Sequence, residues 1–176
     1  MATSAAPSGF GRPIWNAIKG GNQVHGVGLV PVTNTFVGTD ATFVRTLFTA
    51  PATTDGYFKI EAARLAVMAQ VVADNDNHWT IELQVGTLDA AGTSVTWTDL
   101  GDLALSTDAN GGGANLEPDI PYTLDVDGPE TTSPLLTYLA AGDSIRLLAT
   151  EAGTAPTQVA NYWTVTLYLR HSPPGQ

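Results

Sequence analysis

Cysteine is absent from the 176 residues. This excludes disulfides, thiolate-bound metals and a cysteine nucleophile, and it leaves the redox compartment unspecified. Basic residues are scarce: 7 Lys and Arg stand against 17 Asp and Glu, a net charge of −10. A surface of that sign repels phosphate backbones, so no nucleic-acid partner is expected. No apolar run reaches the ~18 residues that signal a membrane span. The opening MATSAAPSGFGRP has neither a basic n-region nor an apolar h-region, so neither a membrane nor a secretory signal is expected. Charged residues of both signs make up only 14% of the chain. So little charge with abundant Thr and Val suits pleated sheet better than exposed helices.

The length fits one compact domain with an appendage. Residues 1–38 form the appendage. They are rich in Gly, Pro and Asn, have no sustained period, and carry isolated anchors at Phe10, Ile14, Trp15, Ile18, Leu29 and Val30. A disordered tail is normally poor in such residues, so 1–38 is expected to be an extended N-terminal arm ordered by lying on something else. Residues 39–176 are expected to form the folded domain.

From about residue 41 a period of two takes over. In WTVTLYLRH, Trp163, Val165, Leu167 and Leu169 share one face; in HWTIELQV, Ile81, Leu83 and Val85 point inward while Thr80, Glu82 and Gln84 point outward. SVTWTDL alternates Val95 and Trp97 with Ser94, Thr96 and Thr98, and residues 41–49 and 120–126 are weaker strands of the same type. EAARLAVMAQVVA (61–73) fits both a helical stripe and a two-residue period. The preceding YFKI reads as strand and no N-cap intervenes, which predicts one long bulged strand over 57–73, with helix as the alternative. Turn-rich connectors at 54–56, 89–93, 108–115, 127–130 and 151–156 separate these elements. The predicted class is all-β: an antiparallel β-sandwich or jelly roll with an extended N-terminal arm.

Residues that could carry chemistry are few. His25, His78 and His171 fall in the arm or at strand ends, away from any nucleophile motif, and GxSxG, HExxH, P-loop and GxGxxG patterns are all missing. ADNDNH (73–78) supplies oxygen ligands, but an EF-hand loop counted from Asp74 would place Trp79 and Val85 where Gly and Glu are needed. It reads as an Asx-rich hairpin turn. Among acids within strands (Glu61, Glu82, Asp99 and Asp125), Asp99 continues the Val95/Trp97 face and is the candidate buried acid. Asp143, behind Gly142 in YLAAGDSIRLLAT, reads as a strand corner whose carboxylate caps a turn. Trp97 and Trp163 sit in register with Val and Leu and are expected in the core. Trp79, taken as starting its strand on the polar face, is the tryptophan expected to be exposed. Trp79 and Leu148, an apolar group on the polar side of its strand, are the candidate surface contacts. No catalytic, metal or cofactor residue is assigned.

Two stretches carry a family likeness. YLAAGDSIRLLATEAGTAPTQVANYWTVTLYLRH joins a short apolar strand, an A-G-D corner, a second strand, a Gly/Thr/Pro-rich loop and a long amphipathic strand. FKIEAARLAVMAQVVADNDNHWTIELQV joins a long strand to a second one through an Asn-rich turn. Together, over roughly residues 41–171, they resemble jelly-roll virion proteins of tailed bacteriophages, especially head decoration (cement) proteins. That resemblance implies a non-enzymatic virion protein on the outer capsid surface. Its partners would be the major capsid protein and itself, as a homo-oligomer (trimer or dimer), with an arm reaching over the shell. A phage tail or fibre component and a carbohydrate-binding β-sandwich module are the alternatives, with a β-sandwich hydrolase behind them.

Overall fold

The computed structural model of the protein describes residues 29–38, 41–51, 57–101, 104–126, 138–153 and 162–172. Ten strands follow in order: β1 (Val30–Val37), β2 (Phe43–Thr49), β3 (Tyr57–Val67), β4 (His78–Leu88), β5 (Val95–Asp99), β6 (Leu105–Ser106), β7 (Tyr122–Leu124), β8 (Tyr138–Leu139), β9 (Ser144–Ala152) and β10 (Tyr162–Ser172). Among the described residues there is no helix.

The strands form two five-stranded sheets. The first has the order β1-β10-β3-β7, with β8 also on β3; the second has β2-β9-β4-β5, with β6 also on β4. Every pairing between named strands is antiparallel. The first long strand pairs with the last and the second with the last but one. This nested winding, which alternates between two layers, is the jelly roll predicted from the strand and turn pattern.

The alternation explains the core. Ile60, Ala63, Leu65, Val165, Leu167 and Leu169 of the first sheet meet Ile81, Leu83, Val85, Ile145 and Leu147 of the second, all essentially without exposure. One end of this core is aromatic. The Phe43 ring lies 5.3 Å from Trp163 and 5.8 Å from Trp79, and the two indoles are 5.9 Å apart, all edge to face. Gly38 fits against Trp163, where an added Cβ would come within 2.9 Å of the indole nitrogen.

Several expectations are corrected here. Residues 30–37, expected within the arm, pair with β10 along their whole length and belong to the sandwich; residues 1–28, with Phe10, Ile14, Trp15 and Ile18, lie outside the described residues. The strand expected over 57–73 exists, and it carries the expected bulge: opposite Tyr168 and Leu169 stand Ala62 and Ile60, so Glu61 is the extra residue. It ends at Val67, and Met68 N–H donates to the carbonyl of Tyr162, the first residue of β10, at 2.9 Å. Val71 then pairs with Leu116. The Asx-rich turn that follows is no hairpin, since β3 and β4 belong to different sheets. It does cap itself as expected: Asp74 Oδ1 accepts from the N–H groups of Asp76 (2.8 Å) and Asn77 (2.7 Å). These bonds hold its carboxyl below the ordinary carboxylate value, Asn77 contributing most.

Candidate interaction surface

Two outward faces result, and they differ in chemistry. On the first sheet the outward positions form rows across the strands. Thr33, Thr166, Arg64 and Thr123 make one row; Thr35, Thr164 and Ala66 make the next; Pro31, Tyr168 and Ala62 make a third. Paired threonines share hydroxyl hydrogen bonds, Thr33 with Thr166 at 3.1 Å and Thr35 with Thr164 at 3.0 Å. One end of the face is apolar: Val37, Tyr162 and Met68 are each at least 44% exposed. There a shallow depression of about 380 Å³ is lined by Thr35, Ala66, Met68, Tyr162 and Thr164, with Asp119 among its walls. At the other end Glu61 is clamped between Lys59 (3.2 Å) and Arg170 (3.0 Å).

The charge count is informative. Lys59, Arg64 and Arg170 stand against Glu61 and Asp119 on this face, while the chain as a whole carries 7 basic and 17 acidic residues. This face of Thr, Ala, Tyr and Val thus carries nearly balanced charge within a strongly acidic protein. It can approach another surface without the like-charge penalty that the rest of the molecule would incur.

The outward face of the second sheet is polar and networked. Trp97 lies opposite Gly86, an outward position of β4. The guanidinium of Arg146 covers its indole, and Arg146 Nε donates to Gln84 Oε1 at 2.7 Å. Gln84 Nε2 in turn donates to Asp99 Oδ1 at 2.7 Å. Glu82 sits beside this network, its carboxyl pushed above the ordinary value first by burial and then by the charge of Asp99.

The remaining predicted residues fall as follows. Of the arm anchors, Leu29 and Val30 are 45% and 48% exposed, and Val30 opens β1. Leu148 is half-buried on the outward face of the second sheet, between Val44 and Glu82. Trp79, expected at the surface, is fully buried: it shares the parity of Ile81, Leu83 and Val85. Trp163 is in the core as expected, whereas Trp97 is on the outside. With Trp79 and Trp163 buried and Trp97 under Arg146, these three tryptophans do not assemble a sugar-stacking platform.

Among the described residues, the buried acid is Asp143 and not Asp99, which is exposed. Asp143 is the corner residue expected. Its Oδ2 accepts from Ala140 N–H at 2.9 Å and its Oδ1 from Leu88 N–H at 3.2 Å. Gly142 before it adopts φ 90, a conformation that costs residues with a Cβ. Its backbone exchanges bonds with Ala50 at the end of β2: Gly142 N–H reaches Ala50 O, and Ala50 N–H reaches Asp143 O.

His78 opens β4 and His171, near the end of β10, packs 5.1 Å from the Phe58 ring; His25 lies outside the described residues. Among the described residues no group of three or more His, Asp or Glu side chains could hold a metal ion. The features missed from sequence were the threonine rows and β1 itself. Their signal was the alternation of Thr33 and Thr35 with Val32, Asn34 and Phe36, masked by Pro31 and by the polar inward Asn34.

No protein-family model matches the chain, and no curated protein matches it. Among solved structures, one described as that of infectious bursal disease virus, Gx strain, aligns with 82% of this chain at a TM-score of 0.37 and 13% identity. This chain spans 37% of the chain it aligns with.

Proposed function

We propose that this protein is a structural component of a virion, a decoration or cement protein that binds the outer surface of a phage head and bridges major capsid subunits. The observation that carries the reading is the outward face of the first sheet. It is an array of threonine, alanine and tyrosine across four strands, with few charges, within a protein of net charge −10. Such a face suits burial against a broad protein surface better than it suits a small molecule, whose sites are concave with a few convergent polar groups. Repetition over a symmetric shell would let a modest contact per copy add to the stability of the whole. The protein acts here without catalysis or cofactor.

The test uses phage heads lacking the protein. Purified protein is added and the bound copies are counted. Occupancy comparable to that of the major capsid protein supports decoration, and a handful of copies per particle points to a tail or vertex component. Thr164→Glu with Thr166→Glu places acid in the centre of the face and is expected to abolish binding. Thr98→Glu, on an exposed position of the second sheet, is expected to leave it intact. Equal occupancy for the two variants would sink the assignment of this face.

A further inference from the structure

We propose that the outer edge of β1 is a self-association site, at which a second copy of this chain adds its own β1 antiparallel across a two-fold axis beside Asn34. An edge strand presents unpaired N–H and C=O groups, and proteins normally blunt such edges by shortness, proline, bulges or inward-pointing charges. Among the described residues, three of the four edges are blunted. In the first sheet the far edge is made of β7 and β8, three and two residues long. In the second sheet, β5 and β6 have five and two residues. β2 is longer, but it carries a bulge between Thr46 and Phe48. It also turns Arg45 toward the inner side, where its guanidinium lies 5.5 Å from the Phe43 ring.

β1 has none of these devices except a proline near one end. It is eight residues long, pairs with β10 without a register shift, and bears no charged side chain. Among the described residues no strand covers its outer side. Pro31 is its one interruption, at the second position.

The second copy is favoured as occupant on two grounds. Electrostatically, two chains of charge −10 repel, and β1 is a stretch without charge at which they can meet. The outward positions of β1 and those of β10 from Tyr162 to Tyr168 are Pro31, Thr33, Thr35 and Val37 beside Tyr162, Thr164, Thr166 and Tyr168, all uncharged. Sequentially, VPVTNTFV is nearly self-complementary about Asn34. Residues directly opposite in an antiparallel pair point to the same face, so outward Thr33 and Thr35 must meet outward residues. Placing Asn34 opposite Asn34 of the second copy sets Thr33 against Thr35 and Val32 against Phe36, and leaves Pro31 at the penultimate pair. Each outward row then runs Thr166, Thr33, then Thr35 and Thr164 of the second copy, extending hydroxyl pairs already present within one chain. Such a two-fold contact is isologous and closes on itself.

The absence of cysteine makes the test clean. Thr33→Cys and Thr35→Cys are prepared as separate full-length variants, with Thr123→Cys on β7 as the control. Under mild oxidation the mixture of the first two should give more covalent dimer than either alone, and the control should give none. By sedimentation the wild type should be dimeric where Thr33→Lys/Thr35→Lys, with unchanged circular dichroism, is monomeric. A wild type that stays monomeric throughout the micromolar range overturns the proposal and points to residues 1–28 or another protein as occupant. So does equal cross-linking by the control, or a dimer that survives the lysine substitutions. Because no particle is present, these outcomes are independent of whether the protein decorates a capsid.

Discussion

The guanidinium carbon of Arg146 lies 3.9 Å from the centroid of the Trp97 indole, on the outward face of the second sheet. β5 is the edge strand there, held to the sheet by β4 alone. Arg146 comes from β9, on the other side of β4, so the stack ties the edge strand across an intervening one. Its Nε bond to Gln84, and the bond from Gln84 to Asp99, form a second tie over the same gap.

Removing this tie should loosen β5. Arg146→Ala forfeits the cation–π contact and the charge-assisted bond, for an expected loss of about 1–2 kcal/mol. Arg146→Lys keeps the charge but not the planar stack, and should recover less than half of the loss. Thermal melts of the three proteins, with hydrogen exchange at residues 95–99, would check this. A fully rescued lysine variant would mean that the charge alone matters.

Asp143 makes a second prediction. Its two oxygens satisfy the N–H groups of Leu88 and Ala140 at a buried corner. Asp143→Ala strands both donors and should cost about 2–4 kcal/mol. Asp143→Asn keeps one acceptor and turns an NH₂ toward the other donor, so its cost should fall between wild type and alanine. The order of unfolding midpoints in urea tests this. If asparagine were as damaging as alanine, the corner would depend on the charge and not on the number of acceptors.

How much of this was legible in the sequence follows from what each strand contacts. The strands rich in Val, Leu and Ile declared themselves because both of their neighbours are strands and their inner face is the core. The corner at Gly142 and Asp143 was legible because its chemistry is local. Trp79 was legible in principle: its parity with Ile81 places it inside, and taking it as a strand-end residue hid that. Trp97 was not legible. Alternation says that one side of β5 is apolar, but it does not say whether that side meets the core or the guanidinium of an arginine two strands away. β1 was hidden for a related reason. Its inward Asn34 looks like a loop residue until the Leu47 carbonyl, 2.8 Å from Nδ2, supplies an acceptor from the opposite sheet. The threonine rows are a property of register, which pairs residues more than a hundred positions apart.

Gly153 allows a sharper test of backbone geometry. It has φ 78, and a Cβ there would collide with the carbonyl of Asp76 in the Asx turn. Gly92 has a similar φ of 69 but open space around it. Gly92→Ala should therefore show the conformational penalty alone, about 1 kcal/mol. Gly153→Ala should add the clash and reach about 2–3 kcal/mol. Chemical denaturation of both variants separates the two effects, and equal losses would show that the 73–78 turn yields freely.

Glu82 gives a pH-dependent prediction of definite sign. Burial, and then Asp99, raise its folded pKa above the ordinary 4.5. The folded chain therefore holds this proton more tightly than the unfolded chain. Stability contributed at low pH is lost as pH rises from the unfolded value through the raised folded one. At neutral pH the charge on Glu82 is a net cost. Glu82→Gln should melt higher than wild type near pH 7, and the difference should shrink toward zero below about pH 4, where both side chains are neutral. Because the substitution also lessens the net negative charge, Asp76→Asn, at an exposed turn position, serves as the same-charge control. If the two variants gained equally at neutral pH, relief of overall repulsion would account for the effect, and the local burial of Glu82 would have no part in it.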